Sequence, residues 1–248
     1  MNRQMISAVA HGDHPIAAPL ADDSVARLLD RALPRGDERL LDLGCGQGAW
    51  LERAVRGRPG LRAEGVDIDA AALDRATERF AREGLGGQIL LHAGNAREFT
   101  PADRFDLVLC VGATHAFGGL LPTLEAARAH LAPGGSVLIG EGFWEREPDE
   151  RTLEAGFGAD EYAGLAGTVD KVTADGWTPV YAHVSSLAEW DDYEWSWTGT
   201  LAGWGLDRAG EPDGAAALEA AAAHRDAWLH GYRGTLGFVT LLLRQTPR

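Results

Sequence analysis

Lysine is almost missing from this chain: Lys171 stands alone among 248 residues. With 37 acidic against 23 basic residues, the formal charge is −14. Phosphate backbones are gripped by clustered Lys and Arg, so no nucleic-acid partner is expected. Cysteine is as scarce, with only Cys45 and Cys110. Two cysteines make no disulfide framework, and a reduced, cytoplasmic setting is the expectation. No stretch has the ~18 or more unbroken apolar residues of a membrane span, so no membrane partner is expected. The opening MNRQMISAVAHGDHP has no long apolar run ahead of its polar residues, so no secretory leader is expected either. Metal-ligand spacings such as His-Glu-x-x-His or paired Cys-x-x-Cys are absent, and no metal is expected.

What the chain does have is length and glycine. A chain of 248 residues is long enough for one α/β domain with an added lobe, and buries roughly 70–75% of its unfolded surface without staples. Its most informative stretch is Leu40-Leu41-Asp42-Leu43-Gly44-Cys45-Gly46-Gln47-Gly48-Ala49-Trp50. It reads as a buried strand, a glycine turn and a helix. Glycines permit left-handed backbone angles and let a ligand approach the main chain. The first turn of the helix offers free N–H groups to a polar ligand. The spacing is Gly-x-Gly-x-Gly, whereas the dinucleotide fingerprint is Gly-x-Gly-x-x-Gly with an acid roughly 20 positions on. An acid is present here too, because Asp67, 23 positions after Gly44, ends the next apolar run.

This strand, D-x-G-x-G-x-G turn and second-strand acid resemble motif I of the class I S-adenosylmethionine (SAM)-dependent methyltransferases. The resemblance implies that the turn packs against the amino-acid end of SAM and that Asp67 bonds its ribose hydroxyls. It implies cofactor contacts at Asp42, Gly44, Cys45, Gly46, Gly48, Asp67 and Ile68. Further along, Gly94-Asn95-Ala96 holds the place of a Gly-Asp-Ala whose acid bonds the adenine amino group. Asn95 departs from that acid, but its amide oxygen can still accept. The end of the fourth strand, Cys110-Val111-Gly112, completes the implied cofactor set. S-adenosylhomocysteine (SAH) would be the product.

Apolar runs and helical faces alternate along the chain in a way that predicts parallel crossovers. Residues 1–18 read as irregular and 19–248 as one domain. Strands are predicted at 39–43, 61–67, 88–92, 105–111, 136–140, 179–185 and 236–243. Helices fill the gaps, among them one at 162–174. The fold class is therefore α/β, a Rossmann-like, mostly parallel seven-stranded sheet. The resemblance implies that the last strand inserts antiparallel between the fifth and sixth. Residues 186–234 are far longer than an ordinary connection of ~2–6 residues. Two helices fit there, and they are expected to form a cap over the carboxyl edge of the sheet.

Strand ends at that edge line the ligand crevice of such sheets. His115 follows the fourth strand and can act as a base near neutral pH. Glu141 follows the fifth. These two are the catalytic candidates, and both are also expected to touch the acceptor. The Asn/Asp-Pro-Pro-aromatic tetrad of nucleic-acid amino-methylating enzymes is absent after the fourth strand. Trp190, Tyr193, Trp197 and Trp204 fall on one helical stripe, which is either core or an aromatic wall able to hold a cationic amine. Glu194 lies close to the same face, where burial is costly unless it is paired. Trp144, Trp190, Tyr193 and Glu194 are the expected acceptor contacts, together with His115 and Glu141. C-V-G-A-T, L-x-P-G-G-x-x-L-I-G-E-x-x-W and W-D-x-Y-E resemble a branch of mostly uncharacterised bacterial small-molecule methyltransferases. Methyl transfer to a small molecule is the expected activity. A non-catalytic SAM-binding module and, less fitting to the glycine spacing, a nicotinamide oxidoreductase are the rivals.

Overall fold

The computed structural model describes residues 1–247, apart from the side chains of residues 3 and 4. Seven strands form one sheet in the order β3-β2-β1-β4-β5-β7-β6. They are β1 (Arg39–Leu43), β2 (Arg62–Asp67), β3 (Ile89–Ala93), β4 (Phe105–Val111), β5 (Leu131–Trp144), β6 (Trp177–Val184) and β7 (Leu236–Gln245). β1 pairs in parallel with β2 and β4, β2 with β3, and β4 with β5. β7 lies between β5 and β6, as the resemblance implies. Its direction follows from its ends: Glu145 N donates to Thr235 O, while Arg244 reaches Gly134 O. The start of β7 thus meets the end of β5, so the last strand is antiparallel.

The helices are α1 (Arg3–Ala10), α2 (Asp22–Ala32), α3 (Ala49–Val55), α4 (Ala70–Arg82), α5 (Leu120–His130), α6 (Glu150–Glu154), α7 (Leu165–Ala174), α8 (Leu187–Leu206) and α9 (Pro212–Ala227). β1 and β4 are almost wholly buried, as strands covered on both faces should be. α3 and α4 follow β1 and β2 as crossovers. α4 starts at Asp69, whose side chain accepts from Ala72 N, a normal N-cap. It buries Leu73, Ala76 and Phe80 on one face.

Contacts group the chain into two compact units. One gathers Met1–Ala21, Gly142–Thr168 and Val184–Phe238; the other gathers Asp22–Glu141, Val169–His183 and the chain from Val239 onward.

Three segments differ from the sequence reading. Residues 1–18 are not irregular throughout, because α1 forms there. Asn2 caps it by accepting from Met5 N, and Ile6, Val9 and Ala10 bury against Leu201, Ala217 and Ala221. β5 is longer than 136–140 because Pro133-Gly134-Gly135 is absorbed as an irregularity within the strand: Phe105 pairs with Leu131, but Leu107 pairs with Ser136. α7 starts three residues later than position 162. Trp144 N donates to Ala163 O, and Tyr162 sits against Gly142, where a Cβ would come within 2.8 Å of its ring. The 186–234 segment does contain two long helices, α8 and α9. A π-helical turn, Trp228–Tyr232, follows them.

Candidate functional site

In the unit that begins at Asp22, the glycine turn after β1 is built on main-chain bonds. Gly44 N and Cys45 N both donate to Val66 O, at 2.9 and 3.1 Å. Gly46 N donates to Asp67 Oδ2 at 2.8 Å, and Asp69 N donates to Asp67 Oδ1 at 2.9 Å. Gly94 N donates to Asp67 O at 2.9 Å. These bonds bring the ends of β1, β2 and β3 to one edge.

Gly44 has φ +84°, and a Cβ there would lie 2.5 Å from Ala113 Cβ. Gly46 has φ +53° and nothing within 4 Å of a built Cβ. The first glycine is required by packing, whereas the second faces open space and leaves the main chain accessible to a ligand.

Asp42 is 2% exposed, and its Oδ2 has no hydrogen-bond partner. Burial, with Asp67 adding to it, pushes its carboxyl up to about 8. A buried carboxyl oxygen with no donor is costly, and a cationic ligand group would relieve that cost. Ile68, beside Asp67, is 77% exposed, an apolar surface suited to a flat ring. Asn95 is exposed; its amide donates to Glu98 and its oxygen accepts from Arg97 N. That oxygen retains one lone pair. Cys45 and Cys110 are buried, and burial pushes both thiols up. They act as packing, not nucleophiles.

Val111 pairs with Gly140 across β4 and β5, so Gly112 follows the end of β4, whereas Glu141, expected after the fifth strand, lies within β5 because that strand runs on to Trp144. Asp42 pairs with Leu109 and Cys110 with Ile139, so β1 and β5, which carry Asp42 and Glu141, flank the end of β4. Glu141 is buried. His115 lies in the 3₁₀ turn Thr114–Phe117 and is exposed. No hydrogen bond among the described residues orients its ring.

The other unit holds a separate cluster. Glu194 is 2% exposed on α8. Its Oε1 accepts from the Tyr232 hydroxyl at 2.7 Å, and its Oε2 lies 2.7 Å from His224 Nε2. Trp197 stacks on His224 with ring centroids 3.9 Å apart. Trp190 meets both Tyr193 and Tyr232 edge-on. Its Nε1 is buried without a partner. Tyr193 carries His11 and His14 against it, and its hydroxyl lies 3.1 Å from His11 Nε2. Trp144 packs edge-on with Phe157 and Tyr162, and Phe157 with Tyr232. Burial, with Glu194 adding to it, pushes both tyrosine hydroxyls up.

The π-helical turn aims Tyr232 at Glu194. Such turns gather at functional sites, and this one is fastened on both sides. Thr152 Oγ1 lies 2.6 Å from Gly231 O, and Arg233 makes a two-pronged pair with Asp191 at 2.8 and 2.7 Å.

The expected residues thus fall into two groups. Asp42, Gly44, Cys45, Gly46, Gly48, Asp67, Ile68, Gly94, Asn95, Ala96, Cys110, Val111, Gly112, His115 and Glu141 belong to one unit, and Trp144, Trp190, Tyr193 and Glu194 to the other. The tryptophan stripe divides in its role. Trp190 joins the polar cluster, whereas Trp197 and Trp204 pack against the Leu201 and Ala217 core. His11, His14, His224 and Tyr232 escaped the sequence reading. The H-x-x-H spacing of His11 and His14 was the one visible signal.

A family described as a methyltransferase domain matches residues 40–135. An uncharacterized protein of Escherichia coli, YjhP, is 26% identical over 197 residues, 78% of this chain and 79% of that protein. The 27-O-demethylrifamycin SV methyltransferase of Amycolatopsis mediterranei is 27% identical over 206 residues, 72% of this chain and 75% of that protein. Among solved structures, a SAM-dependent methyltransferase from Geobacter sulfurreducens in complex with SAH has a TM-score of 0.88 at 24% identity. The match covers 97% of this chain and 98% of that one. The last likeness is one of fold.

Proposed function

We propose that this chain is a class I SAM-dependent methyltransferase, which transfers the SAM methyl group to a small-molecule acceptor and releases SAH. The observation that carries the reading is the Gly46 turn. An open, left-handed glycine is tied by its N–H to the second-strand acid Asp67, beside the partnerless Asp42 Oδ2. The Geobacter relative of the same fold holds SAH, and the Amycolatopsis relative is described as acting on a rifamycin. Both support a cofactor and a substrate of this kind here.

The sulfonium of SAM supplies an already electrophilic methyl group. The residues of this chain then bind, orient and handle protons. Asp42 would receive the cofactor ammonium, and Asp67 its ribose hydroxyls. Ile68 would cover a face of the adenine, with Gly94, Asn95 and Ala96 at its amino edge. Gly44, Cys45, Gly46 and Gly48 shape the turn, and Cys110, Val111 and Gly112 complete the wall. Trp144, Trp190, Tyr193 and Glu194 would recognise the acceptor. His115, in the turn after β4, and Glu141, within β5, are the candidates to touch it. Alignment of acceptor and methyl contributes ~7–11 kcal/mol in well-oriented systems. We assign residues 19–248 to one methyltransferase domain and residues 186–234 to acceptor recognition.

The test is SAH release with amine, phenol and carboxylate panels. Release above the acceptor-free rate with one class supports the reading. Tight SAM binding with no release from any class would leave a SAM-binding module in its place.

A further inference from the structure

Two consecutive residues of α4 meet two consecutive residues of the glycine turn. Arg79 Nη2 donates to Gln47 O at 2.9 Å. Phe80 lies against Gly48, where a Cβ would come within 2.8 Å of its ring. The turn, α3 and α4 all belong to the unit that begins at Asp22, so these contacts lie inside one compact body.

The bond to Gln47 O has a specific consequence. Gln47 C=O and Gly48 N–H belong to one peptide plane. Gly48 N donates to Cys45 O at 2.8 Å, so Arg79 completes a tie on both sides of that plane. Glycines flank Gln47, with φ +53° at Gly46 and +73° at Gly48. Glycine gives a neighbouring peptide plane room to flip, and a tie from outside the turn removes that freedom. The carbonyl is held toward α4. Among the described residues no group accepts from Gln47 N–H, which leaves that donor for a ligand.

The guanidinium is itself held. Arg79 Nη2 lies 3.2 Å from Glu52 Oε2 on α3. Glu52 also pairs with Arg56, which reaches Glu83 at the end of α4. The Arg79 guanidinium carbon lies 4.9 Å from the centre of the Phe80 ring. These ties bridge the two helices behind the turn. They keep Arg79 there although its Nε–H is buried with no hydrogen-bond partner among the described residues, which costs stability. An arginine with no task at the turn would carry its head out to water, and Arg82 on the same helix is exposed.

We propose that Arg79 is a positioning residue for the cofactor: acting through the Gln47 carbonyl, it holds the glycine turn in the conformation that accepts the amino-acid end of SAM. The inference deepens the function proposed above and rests on that turn being the cofactor seat. Arg79 touches no ligand in this role. Asp67 is held separately, its Oδ1 by Asp69 N and its main-chain oxygen by Gly94 N. The contacts expected of the adenosine half therefore stand without Arg79, and its effect is confined to the half of the cofactor that lies on the turn.

The test compares two ligands. SAH carries the amino-acid arm, and 5′-methylthioadenosine lacks it. Both are titrated by calorimetry into wild type, Arg79→Gln, Arg79→Lys and, as a charge control, Arg82→Gln, each shown to be folded. SAH affinity should fall about tenfold in Arg79→Gln, as when the competent turn drops to about a tenth of the population. The affinity for 5′-methylthioadenosine should stay essentially unchanged. Arg79→Lys, which keeps the charge and a donor, should recover part of the loss, and Arg82→Gln should match the wild type. Amide exchange gives a ligand-free readout: Gly48 N–H should exchange faster in Arg79→Gln, and Asp69 N–H should not. That readout decides the matter if 5′-methylthioadenosine is too weak to titrate. Arg79→Lys carries the same contrasts at smaller amplitude if Arg79→Gln does not fold. Unchanged SAH affinity in folded Arg79→Gln overturns the inference. So does an equal loss for both ligands, which would make Arg79 a general structural residue, or an equal loss in Arg82→Gln, which would make the effect one of net charge. Failure of the wild type to bind SAH would instead strike the cofactor reading, and this inference with it.

Discussion

Gly46 and Asp67 are joined by a 2.8 Å hydrogen bond, the Gly46 N–H donating to Asp67 Oδ2. The other oxygen of Asp67 accepts from Asp69 N. One carboxylate therefore holds the glycine turn and the start of the next helix, and still has lone pairs for a ligand hydroxyl. A residue that the motif reading assigns to ribose is also a structural tie.

The first two glycines of this turn should separate in their roles. Gly44→Ala meets both a positive φ and Ala113 Cβ at 2.5 Å, so it should lower Tm by more than Gly46→Ala does. Gly46→Ala meets only the left-handed backbone cost, roughly 1–2 kcal/mol, but it places a methyl in the open space beside the turn. Thermal unfolding should rank Gly44→Ala as the worse fold, and calorimetry should still show Gly46→Ala losing SAH affinity. Full SAH affinity in a folded Gly46→Ala protein would mean that the ligand does not approach there.

Asp42 gives the ligand-free protein a pH dependence. Its carboxyl is raised to about 8 in the folded state from a usual value of 3.8. Between those values the folded state keeps a proton that the unfolded chain has lost, so stability should fall as pH rises through that window. Asp42→Asn should flatten this slope and raise Tm at the alkaline end. If Asp42 ionises to meet the SAM ammonium, binding at pH 7 should release protons. The calorimetric enthalpy should then vary with the ionisation heat of the buffer in the wild type and not in Asp42→Asn. Buffer-independent heats in both would remove Asp42 from the ammonium site.

Tyr232 is the donor that lets Glu194 stay buried. Tyr232→Phe should cost ~1–3 kcal/mol of stability, the range for leaving a buried acceptor short of a partner. Glu194→Gln should restore some of that loss in the double variant. In turnover, either single change should raise acceptor KM while SAM affinity stays within a few-fold. Equal losses of both would make this cluster plain core.

His115 is exposed and unoriented, so it should serve contact and not proton removal. His115→Gln should raise acceptor KM while SAM affinity stays within a few-fold. An unchanged acceptor KM in the folded variant would remove His115 from the acceptor site.

The sheet was legible because β1, β4 and β7 are mostly apolar runs and because turn glycines punctuate them. The cofactor edge was legible because a tight left-handed turn leaves few choices of residue at Gly44, Gly46 and Gly48. The N-terminal helix was not. Its apolar face is only Ile6, Val9 and Ala10, too short to stand out against the flanking polar residues. It becomes a helix because Leu201 and Ala217, some 200 positions away, cover that face. The partners of Glu194 were hidden for the same reason. His224 and Tyr232 lie 30 and 38 positions downstream, and a π-helical turn, which sequence periodicity does not mark, sets the aim of Tyr232. The contact of His11 with Tyr193 was hidden likewise, because 182 positions separate the two.

The central claim is that SAM binds on the turn held by Asp67. Titration of SAM into wild-type and Asp67→Ala protein, each shown to be folded, tests it most directly. The account predicts saturable one-site binding in the wild type and a loss of ~1–3 kcal/mol, about 5- to 150-fold in Kd, in the variant. Equal SAM affinity in the two folded proteins, or no binding to the wild type, would contradict it.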